Sequence, residues 1–324
     1  MASIKDVAKL AGVGIGTASR VLNNHPNVSD ATRTKVLEAI KKLDFVPSEA
    51  ARNLKLKTSQ EVALLIPSTM HPYLSKIAYH VEEELFKYGY KMMLCNNHAH
   101  VDKELSYLTM LRRNKIAGII GITYNDIESF IQADIPMVSI DRNVGASIPC
   151  VAADNFEGGR IACRELIAKG CSRLAFLGDL TSTKSEVKQR QKGFVYEASL
   201  HGLDVFSFSD IEKEDIHDNF AYIESFLDAA TDIDGVFCIS DLLAASFIKL
   251  ARRRGRLVPQ DLKVIGFDGI QDTTFFHPVL STIKQPVDEI CRVAVELLIR
   301  KMDEPDFTAD IIHIPVTYIE GETT

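Results

Sequence analysis

Residues 3–22 read SIKDVAKLAGVGIGTASRVL, and the spacing inside that run decides the first part of the fold. Ser3 is followed three positions later by Asp6, a capping-box variant in which each side chain satisfies an amide that the helix start leaves open. Ile4, Val7, Ala8 and Leu10 supply an apolar face at helical spacing. Ala11-Gly12-Val13-Gly14 breaks that helix. A second opens at once over Ile15 to Leu22, with Ala18, Val21 and Leu22 as its inner face. Two short helices joined by a tight glycine-containing turn predict a helix-turn-helix. Asn23 to Asn27 reads as a loop, and Ser29 as the cap of a third helix, Asp30 to Leu43, with the stripe Ala31, Val36, Ala39, Ile40 and Leu43. Gly12, Gly14 and Gly16 also form a G-x-G-x-G run. Phosphate-cradling glycines join a strand to a helix, whereas these join two helices.

Charge sets this segment apart. Residues 1–57 hold ten Lys/Arg against five Asp/Glu, a net +5, which leaves −12 for the remainder of a chain whose total is −7. A basic end on an acidic body points to one segment that touches a polyanion. The 324 residues suffice for two or three domains, and 46% hydrophobic with 25% charged residues excludes a disordered, collagen-like or disulfide-scaffold chain. No apolar run approaches membrane-spanning length, so no membrane partner is expected. Lys5, Asp6 and Lys9 stand where a signal peptide needs an apolar stretch, so the expected compartment is the cytoplasm. The cysteines (Cys95, Cys150, Cys163, Cys171, Cys238, Cys291) form no C-x-x-C pair and read as buried free thiols. No metal and no cofactor is expected: His98-Ala99-His100 is too sparse for a metal site.

The run from Ile4 to Lys55 resembles the DNA-binding headpiece of the lactose-repressor (LacI/GalR) family. The matching elements are I-x-D-V-A-x-x-A-G-V in the first helix, T-x-S-R-V-x-N in the second, V-S-x-x-T-R at the third, and F-x-P-x-x-A-x-x-L after it. In such a module the start of the second helix enters the major groove, where Ile15, Gly16 and Arg20 face base edges and Thr17, Ser19 and Asn23 suit phosphate contacts. Gly14 stands where family members often carry a capping Ser, and Gly16 brings no side chain to a base-reading position. The resemblance implies that Pro47 to Lys57 is a hinge helix that folds when two copies pair in the minor groove. Ala51 and Leu54 would then meet DNA, Leu54 as an apolar wedge.

From Glu61 onward short apolar runs alternate with amphipathic ones. Strands are expected at Val62–Ile66, Lys91–Cys95, Gly118–Ile122, Met137–Ile140, Arg173–Leu177, Gly235–Ile239, Lys263–Phe267 and Ile311–Val316, with helices between them. That alternation predicts parallel, doubly wound sheets, in number enough for two lobes. Ligands of such sheets lie at the strand carboxyl ends. The residues there are His71 and Tyr73, Asp141 and Arg142, Arg190, Ser240 and Asp241, and Asp268. Hydroxyl and charged groups bracketed by aromatics suit a polyhydroxylated small molecule. Several have a second reading: His71 as a loop residue, Arg142 paired with an acid, Asp241 as a helix cap. The runs R-x-x-G-F, I-S-D-x-x-A, V-I-G-F-D-G and L-S-T-I-K-Q-P resemble the same family's effector-binding core, itself similar to periplasmic sugar-binding proteins. Family members commonly place Asn where Ser240 stands.

The fold class expected is thus α/β: a helix-turn-helix headpiece (1–46), a hinge helix and linker (47–59), and a bilobed periplasmic-binding-protein-like core (60–324) of two doubly wound parallel sheets. Lobe 1 is expected at about 60–158 plus 288–318, and lobe 2 at 159–287 plus 319–324. The resemblance implies a transcriptional regulator, a repressor, that binds palindromic double-stranded operator DNA as a homodimer and is released by a small effector, a sugar. The alternatives are a sugar-binding protein without a DNA role and a regulator whose effector is a corepressor. No G-x-S-x-G, H-E-x-x-H or Walker loop occurs, so no enzymatic activity is expected.

Overall fold

The computed structural model describes residues 2–45, 59–131, 135–178, 185–208, 219–270 and 278–324. It divides into two units, Met1–Ser59 and Gln60–Thr324.

The first unit contains α1 (Ile4–Ala11), α2 (Ile15–Leu22) and α3 (Asp30–Lys42). The reciprocal box at the start of α1 is formed: the Asp6 amide donates to Ser3 Oγ at 3.4 Å and the Ser3 amide to Asp6 Oδ2 at 2.8 Å. The helix ends at Gly12, whose φ of 66° is a left-handed conformation glycine adopts without steric cost. Val7, Ala8, Ala11, Ala18, Val21, Val36 and Ala39 form the core, fringed by Ile4, Val13, Val28, Ile40, Leu43 and Phe45. Two expectations need correction. On the helix faces, Leu10 is exposed because Ala11 rather than Leu10 continues the face of Val7 and Ala8, and Ala31 is exposed on the first turn of α3, ahead of its buried Val36 and Ala39. Ser29 occupies the cap position of α3, but its hydroxyl pairs with Thr32 Oγ1 at 2.9 Å and caps no amide.

The second unit runs β1 (Glu61–Ile66), α4 (Pro72–Lys87), β2 (Lys91–Asn96), α5 (Val101–Arg113), β3 (Gly118–Gly121), β4 (Met137–Ile140), β5 (Cys150–Ala153), α6 (Asn155–Ala168) and β6 (Leu174–Leu177). It continues α7 (Lys188–Leu200), β7 (Val205–Phe208), α8 (Asn219–Ala229), β8 (Gly235–Cys238), α9 (Asp241–Arg253), β9 (Lys263–Asp268), β10 (Ser281–Lys284), α10 (Val287–Asp303), β11 (Ile312–Ile314) and β12 (Thr317–Ile319). The strands make two six-stranded sheets, in orders β11-β5-β4-β3-β1-β2 and β12-β10-β9-β8-β6-β7. All pairings are parallel except β10 with β12. Order reverses beside β1 in one sheet and β6 in the other, which opens a crevice at the carboxyl ends of each.

The chain passes between the sheets after β5, after β10 and between β11 and β12. The first passage falls a few residues before the expected boundary at 158, since α6 starts at Asn155 and packs on α7 and the second sheet. The last falls just before 318, because Thr317 already pairs with Lys284. Of Ile311–Val316, expected as one strand, only Ile312–Ile314 is strand (β11), and β12 follows it as a separate strand of the other sheet.

Candidate functional site

On α2 the base-reading candidates are available from outside. Ile15 is 48% exposed, Gly16 and Arg20 are exposed, and Thr17 and Ser19 are half-buried. An exposed β-branched apolar residue beside an arginine fits a thymine methyl and a guanine edge. Asn23 is exposed, and its Nδ2 donates to the Ser19 carbonyl at 2.8 Å, closing the end of α2. Gly14 holds the N-cap position with no side-chain cap. Ala51 and Leu54 lie outside the described residues.

In the second unit the polar residues at the strand ends converge. Tyr73, on α4 just past β1, donates its hydroxyl to Asp141 Oδ2 at 2.8 Å and to Gln285 Oε1 at 3.2 Å. Gln285 Nε2 donates to Asp268 Oδ1 at 2.8 Å, and Arg190 Nη1 lies 3.5 Å from the same oxygen. This chain of contacts links the two lobes through Gln285, which sits in the passage between β10 and α10 and so reaches both.

Helix packing places Arg190. A β-carbon on Gly159 of α6 would meet the Arg190 carbonyl, and one on Gly193 of α7 would meet the Phe156 carbonyl. Only glycines let the two helices approach this closely. The guanidinium then donates through Nε to Asn155 Oδ1 at 2.7 Å and through Nη1 to the Ile239 carbonyl at 2.5 Å, and stacks 3.6 Å above the centre of the Phe267 ring.

Burial governs the electrostatics. It pushes the Asp141 carboxyl up to about 6, against the pull of Arg190 and the Tyr73 hydrogen bond. Asp268 and Asp241 are raised together, chiefly by burial and, for Asp241, by the Asp268 charge beside it. Burial and Arg190 hold His71 below the ordinary imidazole range, so it is neutral near pH 7. Asp141 and Asp268 carry φ values of 61° and 115°. Such backbone is costly for a residue with a side chain and persists where surrounding contacts impose it.

The remaining candidates divide. Ser240 is the N-cap of α9, accepting from the Leu243 amide at 3.3 Å. Asp241 is the first helical residue, and its oxygens take the Thr282 hydroxyl at 2.5 Å and the Ile270 amide at 2.8 Å. It braces the second lobe beneath the cluster. Arg142 donates to the Thr123 carbonyl at 3.3 Å and lies 3.7 Å from Asp126, so its acid partner is Asp126 and not Asp141.

Sequence reasoning missed Gln285, Asn155, Phe267 and Tyr124. The phenol of Tyr124, half-exposed beyond β3, is pushed up to about 12 by desolvation and by the charges of Asp141 and Asp268. Missed too was buried Glu104 on α5, which accepts from Thr123 Oγ1 at 3.0 Å and Asn125 Nδ2 at 2.7 Å and so pins the segment carrying Tyr124. All six cysteines are buried and free. Among the described residues no helix is long and apolar enough to cross a membrane.

Comparison with known proteins agrees with both units. The model of the lacI family of bacterial regulatory proteins matches residues 3–48, and that of the periplasmic binding protein-like domain matches residues 163–324. The sucrose operon repressor of Streptococcus mutans is 35% identical, across 100% of this chain and 99% of its own length. The ribose operon repressor of Bacillus subtilis is 33% identical, over 100% and 99%. Among solved structures, the transcriptional regulator CelR in complex with cellobiose is 25% identical over the full length of both chains, with a TM-score of 0.73. The lac repressor dimer bound to operator shares the fold at a TM-score of 0.87 and 21% identity, over 99% of this chain and 98% of its own. The chain belongs to the lacI family of bacterial DNA-binding transcriptional regulators.

Proposed function

We propose that this protein is a cytoplasmic repressor without enzymatic activity. In this reading it binds a palindromic operator as a homodimer and leaves it when a sugar enters the cleft between the lobes. The headpiece is residues 1–46, the hinge 47–59 and the effector-binding core 60–324. One headpiece reads too few base pairs for genomic specificity, which favours two headpieces on two half-sites. The observation that carries the effector site is the Tyr73–Asp141–Gln285–Asp268–Arg190 chain of contacts, drawn from both lobes. A ligand that exchanges these contacts for its own has a different affinity for open and closed lobes, which is what a switch requires. The names of the relatives, sucrose and ribose operon repressors, support a sugar as that ligand.

Selection of bound sequences from a random DNA pool tests the first part, and the expected outcome is a palindrome. Titration of that complex with sugars tests the second, and the expected outcome is release. Tighter DNA binding on adding a small molecule would make the effector a corepressor. A pool that yields no preferred sequence would overturn the DNA-reading role assigned to α2.

A further inference from the structure

Taken as the effector site, the cleft has a polar lining that is uneven in one respect. Among the described residues, one buried carboxylate oxygen there meets no donor. Asp141 is 6% exposed, and its Oδ2 takes the Tyr73 hydroxyl. Its Oδ1 is buried with no hydrogen-bond partner. Among the described residues, each cation nearby already holds at least one partner. Arg190 is shared among Asn155, the Ile239 carbonyl and Asp268; Lys76 donates to the Gly269 carbonyl at 3.1 Å; Arg142 is held by the Thr123 carbonyl beside Asp126, with its Nε buried and unpartnered. Facing them are the carboxylates of Asp141 and Asp268, with Asp241 beneath and Glu186, whose amide donates to the Asp141 carbonyl, at the flank. His71 Nδ1 is also buried and unpartnered, on a neutral ring that serves as donor or acceptor.

A buried acceptor without a donor is costly, and a ligand that brings an O–H or N–H to it recovers that cost. A ligand that brings a phosphate brings acceptors and negative charge beside the two buried carboxylates of Asp141 and Asp268. We infer that the cleft takes an unphosphorylated, hydroxyl-rich sugar that donates to Asp141 Oδ1, and that it rejects the phosphate ester of the same sugar. The inference rests on the sugar reading given above and narrows it.

Titration calorimetry on the full-length protein at pH 7.5 tests it, with ribose, sucrose and cellobiose each set beside a phosphate monoester, and with a purine base as control. At least one free sugar should bind, and its ester at least a hundredfold more weakly. Asp141→Asn keeps the shape, removes the charge and turns one acceptor into a donor. It should lower the ratio of free-sugar to ester affinity by more than tenfold. Asp268→Asn, measured in the same way, replaces it if Asp141→Asn does not fold. An ester that binds as tightly as its sugar overturns the inference and leaves the sugar reading standing. A flat response to all six sugars, or binding of the purine alone, overturns the sugar reading itself. An unchanged ratio in the variants removes the carboxylates as the discriminating groups.

Discussion

The residues of α2 assigned to DNA, Ile15, Gly16 and Arg20, stand exposed on a core of seven small side chains, whereas Tyr73, Asp141, Arg190 and Asp268 in the cleft are each at most 6% exposed and tied to one another. The difference follows from the two tasks. Reading a base edge needs a side chain free to meet a rigid partner, on a surface whose positive charge attracts phosphate. A switch needs groups that already hold partners and exchange them when the ligand arrives, so that binding alters what holds the lobes together. Substitution should therefore act on affinity and specificity in the headpiece, and on response in the core.

The largest separation of the two regions should come from Arg190→Ala. It removes the donor to Asn155 and Ile239 and leaves Asp268 without its cation. Losing one member of a buried charge pair costs about 4 kcal/mol, roughly a thousandfold in sugar affinity. Calorimetry should show that loss while operator affinity without sugar stays within about threefold. An equal fall in operator affinity would join the regions that are here kept apart.

pH should divide them next. Asp141 sits at about 6 in the folded core against an ordinary 3.8, so between those values the folded chain keeps a proton that the unfolded chain has released. Its contribution to stability is thus present below pH 4 and lost as pH rises through 6, by about 3 kcal/mol. Thermal melts of the core should fall from pH 4 to pH 7, and Asp141→Asn should flatten that slope. In the headpiece the shift runs the other way: the hydrogen bonds of Ser3 hold exposed Asp6 below its ordinary value. A ligand donor at Asp141 favours the charged form, so sugar binding near pH 6 should release protons, which calorimetry in buffers of different ionisation heat would detect.

A smaller effect is expected on the DNA side. Arg20→Ala should cost about 2 kcal/mol of discrimination between the best operator and single-base variants, and change affinity for random DNA and its salt slope far less. Gel-shift titrations over a salt series read both. Smallest of all, Gly14→Ser should add an N-cap to α2, raising headpiece stability by a few tenths of a kcal/mol.

The same contrast explains what the sequence disclosed. The headpiece is built from local devices, the Ser3–Asp6 box, the Gly12 turn and the Ala18–Val21 face, and local devices are written in consecutive residues. In the core, β1, β4, β6 and β9 were legible as apolar runs with a polar residue at the end, and those ends brought out Tyr73, Asp141 and Asp268. The short strands β5, β7 and β10 gave no such signal. β5 reads Cys150-Val151-Ala152-Ala153 and β10 Ser281-Thr282-Ile283-Lys284, each with too few large apolar side chains to stand out. Gln285 and Asn155 escaped notice because their roles depend on where the chain passes between sheets. The run L-S-T-I-K-Q-P contained Gln285 without singling it out from its neighbours. Tyr124 was hidden for another reason: what makes it relevant is Glu104, nineteen or more residues earlier, pinning Thr123 and Asn125.

The central claim is that sugar response resides in the cleft and DNA reading does not. The measurement that tests it most directly is operator affinity of Asp268→Ala beside the unchanged protein, each with and without a releasing sugar. Both proteins should bind operator alike without sugar, and saturating sugar should release the unchanged protein only. If Asp268→Ala leaves the operator at the same sugar concentration as the unchanged protein, the effector acts elsewhere and the cleft does not hold the switch.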